Sequence, residues 1–150
     1  MSAGRICSRV VATAAPAETI RAVARRMADH DVGTLVIVGG DAMRAMGIVT
    51  DRDIAIRGVA VGLDPDRTPV SEVMTTPVHG IDESTPIEQA LSRMASVATR
   101  RLVVTGEHGR PVGILSLDDV LDLLTSEVGS IGRLLEKQQT HVGAAPAAWS

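Results

Sequence analysis

Aromatic residues are almost missing from this sequence. Its 150 residues include no phenylalanine and no tyrosine, and Trp149 is the single tryptophan. Hydrophobic residues nevertheless make up 45% of the chain, which is typical of a folded protein rather than a disordered one. The core must therefore be built from valine, isoleucine, leucine, alanine and methionine.

A basic excess, a second cysteine and a long apolar run are also missing. The net charge of −3 argues against a dedicated nucleic-acid binder, which usually carries a strong positive excess. Cys7 cannot form an internal disulfide, in keeping with a reducing compartment. No apolar run approaches the roughly 18 residues of a membrane span, and the first ten residues lack the apolar segment of a secretion signal. We therefore expect a cytoplasmic protein with neither a membrane nor a nucleic acid as partner.

The chain repeats itself at an offset of 67 residues. Residues 26–28 and 93–95 both read Arg-Met-Ala, and Ile20 corresponds to Ile87. After a one-residue deletion, residues 47–50 (GIVT) match residues 113–116 (GILS). These matches occur in the same order in both halves, so the sequence predicts two tandem copies of one structural unit.

The pattern predicts the order β-α-β-β-α in each copy. In the first, Ile20, Val23 and Met27 recur at helical spacing. Residues 34–38 are apolar and β-branched, as in a buried strand, and a Gly-Gly-Asp turn leads into a returning strand at 45–49. A second helix is expected to follow, and to end near residue 59.

The second copy is predicted in the same way, with a last helix that starts at Ser116 and continues to about residue 139 despite Gly129 and Gly132. The predicted organisation is a first repeat at 5–60, a linker at 61–70, a second repeat at 71–126, a helical extension at 127–139 and a flexible tail at 140–150. Neither small sheet buries its apolar face alone. We expect an α/β (α+β) fold in which the two sheets pack face to face with pseudo-two-fold symmetry.

Each hairpin ends in the same signature. Residues 47–54 (GIVTDRDI) and 113–120 (GILSLDDV) share a glycine, two apolar residues, Thr or Ser, two variable residues and Asp. At this place in a repeated unit, the signature resembles the ligand-binding signature of the CBS domain. The resemblance covers roughly residues 5–126 and extends to small stand-alone bacterial CBS-pair proteins (Bateman modules), including hypoxia- and stress-response proteins.

The resemblance implies a regulatory module that needs no cofactor. It would bind an adenosine-type nucleotide (AMP, ADP, ATP, S-adenosylmethionine or NAD) in the clefts between the repeats and would form a homodimer. Thr50 and Asp53 lie three residues apart at a helix start, so both side chains can point to one side. A carboxylate can accept hydrogen bonds from both ribose hydroxyls, and a hydroxyl can contact ribose or phosphate. Ser116 and Asp119 repeat this arrangement.

The resemblance also implies an apolar slot for adenine in each site. We group Thr13, Gly33, Thr34 and Arg52 with the first site, and Gly80, Arg100 and Arg101 with the second. The second site also carries the acidic Asp118 beside its signature Asp. The two sites need not bind the same ligand, and one can be empty.

The same residues also have simpler explanations. Thr-x-x-Asp at a helix start is a common capping motif, and Arg100 and Arg101 also fit a solvated strand edge. A second hypothesis is therefore a ligand-free, dimerising adaptor that docks on another protein. For the homodimer that the resemblance implies, the apolar stripes along the repeat helices and along residues 120–135 fit a dimer face.

An enzyme is the third and least favoured hypothesis. Ser116, His108 and Asp119 are present, but no nucleophile elbow, Walker A loop or Gly-x-Gly-x-x-Gly motif accompanies them. His79 and His108 lack further Cys or His residues at metal-binding spacing. We expect neither catalysis nor a metal site.

Overall fold

Two three-stranded sheets form the centre of the molecule. The computed structural model describes residues 1–9 and 11–142. The strands are β1 (Thr13–Ala14), β2 (Thr34–Gly39), β3 (Arg44–Thr50), β4 (Gly80–Asp82), β5 (Arg101–Thr105) and β6 (Pro111–Ser116). The helices are α1 (Ala3–Ile6), α2 (Ile20–His30), α3 (Asp51–Asp53, continued by a π-helix at Ile54–Val59), α4 (Ile87–Ser96) and α5 (Leu117–Val142), with 3-10 turns at Val70–Glu72 and Glu107–Gly109.

The two sheets have the same topology. The first has the order β1-β2-β3 and the second β4-β5-β6, and in each the first pair is parallel and the hairpin antiparallel. Thr34 pairs with Thr50 in the first hairpin, and Arg101 pairs with Ser116 in the second. The predicted β-α-β-β-α order is confirmed in both copies.

Helix α2 shows how the local sequence sets the element. The Thr19 side chain accepts a hydrogen bond from the Ala22 N–H at 3.2 Å, which caps the helix start. Asp31 ends the helix in the left-handed region, at φ 52°. Ile20, Val23 and Met27 are buried against the sheet, as their helical spacing predicts.

The core of each repeat includes a segment from outside that repeat. Val70 and Val73, which precede the second repeat's strands, are fully buried in the first core beside Leu35. Ala3 and Cys7, from the N-terminal end of the chain, are buried in the second core. The halves are therefore interlocked, and neither core is complete without chain from the other half's N-terminal side.

The sheets pack face to face as predicted. Val36 and Val38 of β2 form one buried cluster with Val103 of β5, and Ile48 and Ile114 pack around it. The symmetric strands of the two copies thus supply equivalent side chains to one shared apolar layer, which removes both sheet faces from water.

Helix α5 extends beyond the predicted end near residue 139 and continues to Val142, so residues 140–142 are helical. The remainder of the predicted tail lies outside the described residues. Within the described residues, no helix combines the length and the apolar character needed to cross a bilayer.

The expected dimer face along the repeat helices is only partly open. The main apolar residues of α2 and α4 are buried inside the repeat cores. The second helix of each repeat does expose apolar side chains, which are Ile56 and Val59 in the first repeat and Leu121, Leu124, Val128, Ile131, Leu134 and Leu135 along α5.

Candidate functional site

The two signature pairs form capping boxes. The Asp53 N–H donates to Thr50 Oγ1 at 3.1 Å, and the Thr50 N–H donates to Asp53 Oδ2 at 2.9 Å. In the second copy, the Asp119 N–H donates to Ser116 Oγ at 3.1 Å, and the Ser116 N–H donates to Asp119 Oδ2 at 2.7 Å. These residues therefore do cap the helix at both helix starts.

Capping does not use up the polar atoms of these pairs. The box engages Oδ2 of Asp53 and leaves Oδ1 at 3.9 Å from Arg57 Nε, while 18% of the Asp53 side chain is exposed. The Thr50 hydroxyl oxygen accepts a hydrogen bond in the box, and the hydroxyl can still donate its proton to a ligand. Capping and ligand binding are thus compatible in one pair, because they use different atoms.

Thr50 and Asp53 border a first cleft of about 180 Å³. One wall comes from β3, and the opposite wall comes from the second repeat around the start of β5. The lining residues are Ile48, Thr50, Asp53, Thr75, Val78, His79, Thr99, Arg100, Arg101 and Val103.

Ser116 and Asp119 border a second cleft of about 230 Å³. Its opposite wall comes from the first repeat, around the start of β2. The lining residues are Ser8, Val32, Gly33, Thr34, Arg101, Ile114, Ser116, Asp118 and Asp119.

The structure corrects the grouping of the predicted site residues. Gly33 and Thr34, which were grouped with Asp53, line the cleft at Asp119. Arg100, which was grouped with Asp119, lines the cleft at Asp53. The reason is the face-to-face packing: it sets the helix start of each repeat opposite the first hairpin strand of the other, so both clefts are composite.

Three predicted residues lie outside both clefts. Thr13 lines a separate pocket next to Arg26, whose Nη1 donates to the Thr13 carbonyl at 2.7 Å. Gly80 pairs with Val103 in the sheet, and its neighbour His79 lines the first cleft instead. Arg52 is exposed and lines neither cleft.

The sequence interpretation missed two hydroxyl residues, one in each cleft. Thr75 lines the first and Ser8 the second. Thr75 forms an isolated β-bridge with Ile48, and Ser8 forms one with Ile114. The 67-residue offset already matches Ser8 with Thr75, so the repeat itself carried the signal for both.

The clefts differ in charge. Arg100 and Arg101 line the first cleft with Asp53, whereas Arg101 is the one arginine or lysine among the described residues that line the second. The second cleft also contains two carboxylates, Asp118 and Asp119. The first cleft is therefore the more favourable of the two for an anionic group.

In the described part of the chain, metal-ligating side chains are not clustered as a metal centre requires. Within residues 1–9 and 11–142, no group of three or more His, Cys, Asp or Glu side chains is placed to hold a metal ion. Burial in the second core raises the pKa of the Cys7 thiol above its usual value, which disfavours the reactive thiolate form.

Comparison with known protein families agrees with this duplicated arrangement, in which one copy of the signature borders each cleft. A family model for the CBS domain matches residues 3–58 and, a second time, residues 70–126. The chain belongs to the CBS domain family. This CBS-domain chain is 40% identical over 103 residues to hypoxic response protein 1 of Mycobacterium tuberculosis, an alignment that covers 69% of the chain and 71% of that relative.

Solved CBS structures share the fold. Hypoxic Response Protein I, crystallised with two coordinated zinc ions, is 35% identical with a TM-score of 0.71, over 81% of this chain and 98% of that one. The CBS domain protein PAE2072 from Pyrobaculum aerophilum, solved in complex with AMP, is 29% identical with a TM-score of 0.71, over 83% of this chain and 99% of that one. The resemblance deduced from the two signatures is thereby confirmed.

Proposed function

We propose that this CBS pair is a non-catalytic sensor that binds an adenosine-type nucleotide between its repeats and signals by a change in conformation or assembly. The observation that carries the proposal is the composite first cleft, in which Thr50 and Asp53 of one repeat face Arg100 and Arg101 of the other. The AMP complex of PAE2072 supports the ligand class. The candidate ligands are AMP, ADP, ATP, S-adenosylmethionine and NAD, which differ in the charge that the cleft must accommodate.

Each part of a nucleotide has a suitable partner in the first cleft. The apolar side chains of Ile48, Val78 and Val103 offer contact to an adenine ring. Asp53 Oδ1, which the capping box does not use, is available to ribose hydroxyls. Arg100 and Arg101 suit a phosphate, since guanidinium groups form charge-assisted hydrogen bonds with it.

The small volume of the first cleft suggests how ligand binding could move the two repeats. Its volume of about 180 Å³ is below the range of roughly 300–1,000 Å³ that is usual for small-molecule sites. A nucleotide in this cleft would therefore extend into solvent, displace wall side chains or separate the two repeats. A ligand that contacts both repeats stabilises the spacing that fits it, and this is the basis of the proposed signal.

The second cleft is proposed to bind a different ligand or none. The negative charges of Asp118 and Asp119 repel a phosphate there. Arg101 offsets them only in part, because it also lines the first cleft. An uncharged or cationic adenosine compound suits this cleft better. A role in a stress response also belongs to the proposal and is supported by the similarity to hypoxic response protein 1.

Calorimetric titration with AMP, ATP, S-adenosylmethionine and NAD tests the proposal. Asp53→Asn keeps a side-chain oxygen for the cap but removes the charge, and should weaken nucleotide binding at least tenfold. Asp41→Asn, on the exposed hairpin turn between β2 and β3, is the matched control and should bind as the wild type does. The sensor proposal fails if no adenosine compound binds below millimolar concentration, or if both variants bind equally well.

The alternative is a ligand-free dimerising adaptor. It is favoured by the exposed apolar residues of α5, which suit a protein contact. The adaptor hypothesis expects partner binding that is unchanged by Asp53→Asn and Asp119→Asn, whereas the sensor hypothesis expects partner binding to depend on nucleotide. Turnover of a nucleotide that Ser116→Ala abolishes would instead establish an enzyme.

A further inference from the structure

A third pocket lies outside both clefts, at the hairpin end of the first sheet, and we call it the hairpin pocket. Its volume is about 510 Å³, within the range of roughly 300–1,000 Å³ that is usual for small-molecule sites. Both clefts are smaller than that range. The end of β1, the side of α2 and the turn between β2 and β3 form the walls of the hairpin pocket.

Most of the wall is apolar. Ala14 of β1 and Val38 of β2 line the pocket and are buried in the sheet. Met43 borders it from the hairpin turn and is 49% exposed. A methionine side chain adapts its shape to an irregular apolar partner. An apolar ligand body therefore gains from leaving water here.

The charged groups of the pocket cancel one another. Among the described residues that line it, Glu18 and Arg26 alone are charged. Arg26 Nη1 and Nη2 donate to the two Glu18 carboxylate oxygens at 3.0 and 2.5 Å. This pairing lowers the pKa of Glu18 and raises the pKa of Arg26, so both groups stay ionised near neutral pH. A charged ligand would meet no free counter-charge, and its transfer from water would be unfavourable.

The same ion pair protects the edge of the sheet against an added peptide strand. Strand β1 is an edge strand, and the backbones of Thr13 and Ala15 point away from β2, because the Ala12 carbonyl is the one that accepts from Val36. Arg26 Nη1 donates to the Thr13 carbonyl at 2.7 Å, and the Ala15 N–H donates to Glu18 Oε2 at 2.7 Å. These outward groups are thus already used, which favours a small molecule over a peptide strand as the occupant.

The second repeat lacks the residues that make this pocket. The offset of 67 residues matches Ala14 with the bulkier Ile81, and it matches Glu18 with Thr85. Arg93, the counterpart of Arg26, therefore has no carboxylate at the matched position. The hairpin pocket is a property of the first repeat and not of the duplicated unit.

We propose that the hairpin pocket is a third binding site, which takes a small uncharged molecule with an apolar body. The site lies outside both clefts and does not depend on nucleotide binding.

Methyl NMR of the full chain, titrated with hexanol, tests the site. The methyl signals of Ala14, Val38 and Met43 should shift and saturate together, whereas that of Val103 in the first cleft should not move. Hexanoate and hexylammonium carry the same apolar chain with a charge, and should bind about fivefold more weakly than hexanol or worse. The proposal is overturned if hexanol gives no saturable shift at these methyl groups, or if either ion binds as tightly as hexanol.

A wall variant tests whether the binding takes place in this pocket. Met43→Asn removes apolar wall and suits the left-handed backbone of this residue, which has φ 50°. It should weaken hexanol binding about threefold or more, since apolar contact area is lost. Val61→Asn changes an exposed apolar residue of another turn and should bind hexanol as the wild type does. Equal affinities for the two variants would place the binding elsewhere and contradict the proposal.

The variant Glu18→Gln tests the charge argument. It leaves the Arg26 guanidinium without its counter-charge, so the affinity for hexanoate relative to hexanol should rise about fivefold. The rise should shrink at high salt, which screens the freed charge. An unchanged ratio would show that the ion pair does not select an uncharged ligand, and would overturn the proposed ligand class.

Discussion

Arg100 Nη2 lies 3.4 Å from Asp118 Oδ1, so an ion pair joins a residue of the first cleft to a residue of the second. Both side chains are 70% exposed, and such pairs contribute only about 0–1 kcal/mol. A phosphate in the first cleft could therefore take Arg100 from Asp118 at little cost. Arg101, which lines both clefts, adds a second electrostatic connection between them.

Removing the Asp118 charge should strengthen anion binding in the first cleft. Asp118→Asn releases Arg100 and removes a nearby negative charge, so we expect AMP or ATP to bind about two- to fivefold more tightly, given the small energy of an exposed pair. Calorimetry at low and high salt measures this, and the gain should shrink as salt screens the charges. Asp122→Asn, one turn further along α5, is the control. Weaker binding by Asp118→Asn would contradict the proposed role of Arg100.

The signature glycines permit a close approach of two chain segments. A Cβ on Gly47 would lie 2.9 Å from both Met74 Sδ and the Thr75 carbonyl oxygen, and a Cβ on Gly113 would lie 2.9 Å from the Ser8 carbonyl oxygen. Gly47→Ala and Gly113→Ala should each lower the free energy of unfolding by about 1–3 kcal/mol, because the backbone must shift. Urea unfolding measures the loss.

Gly132→Ala is the matched control for these two variants. Nothing lies within 4 Å of the added methyl group, and alanine favours the helix by up to about 1 kcal/mol. The helical signal should therefore hold or rise. Equal losses of stability for Gly132→Ala and Gly47→Ala would show that the close approach is not the cause.

The ion pair of Glu18 and Arg26 should make stability depend on pH. The Glu18 carboxylate accepts hydrogen bonds from the Arg26 guanidinium and from the Ala15 N–H, and the Arg26 bond is the main cause that lowers the pKa of Glu18. Because the folded state favours the ionised form, this stabilisation is present above the pKa of Glu18 in the unfolded chain. It is lost as the pH falls through the lowered pKa of the folded state.

The variant Glu18→Gln isolates this contribution. At pH 7 it should be less stable than the wild type by about 1 kcal/mol or less, since both side chains are partly exposed. The difference should shrink toward zero when the pH falls below about 4. Thermal unfolding across pH 3–7 measures it, with Glu88→Gln on the exposed start of α4 as control. A difference that does not change with pH would contradict the assignment.

Local patterns predicted the elements of this protein well. The spacing of Ile20, Val23 and Met27 predicted helix α2, and Thr50 and Ser116 were expected at helix starts, where the structure has them. The 67-residue offset predicted two equal sheets. These features depend on neighbours within a few residues, or on comparison of one half with the other, and both are visible in a single sequence.

The site was predicted less completely, because its walls depend on packing. The sequence placed Thr50 with Asp53 correctly, since both are held in one capping box. It could not show that Arg100 faces Asp53 and that Gly33 faces Asp119. Those pairs are decided by how the two sheets meet, and no local periodicity records that choice.

The sequence alone therefore determined the repeated unit, the order of its elements and the signature at each helix start, because these follow from local spacing and from duplication. Tertiary structure alone decided two things: that α1 and the turn at Val70–Glu72 complete the opposite cores, and that the clefts are composite. The physical reason is the same for both. Apolar surfaces are buried by whichever partner the packed chain brings near, and this partner is far away in sequence.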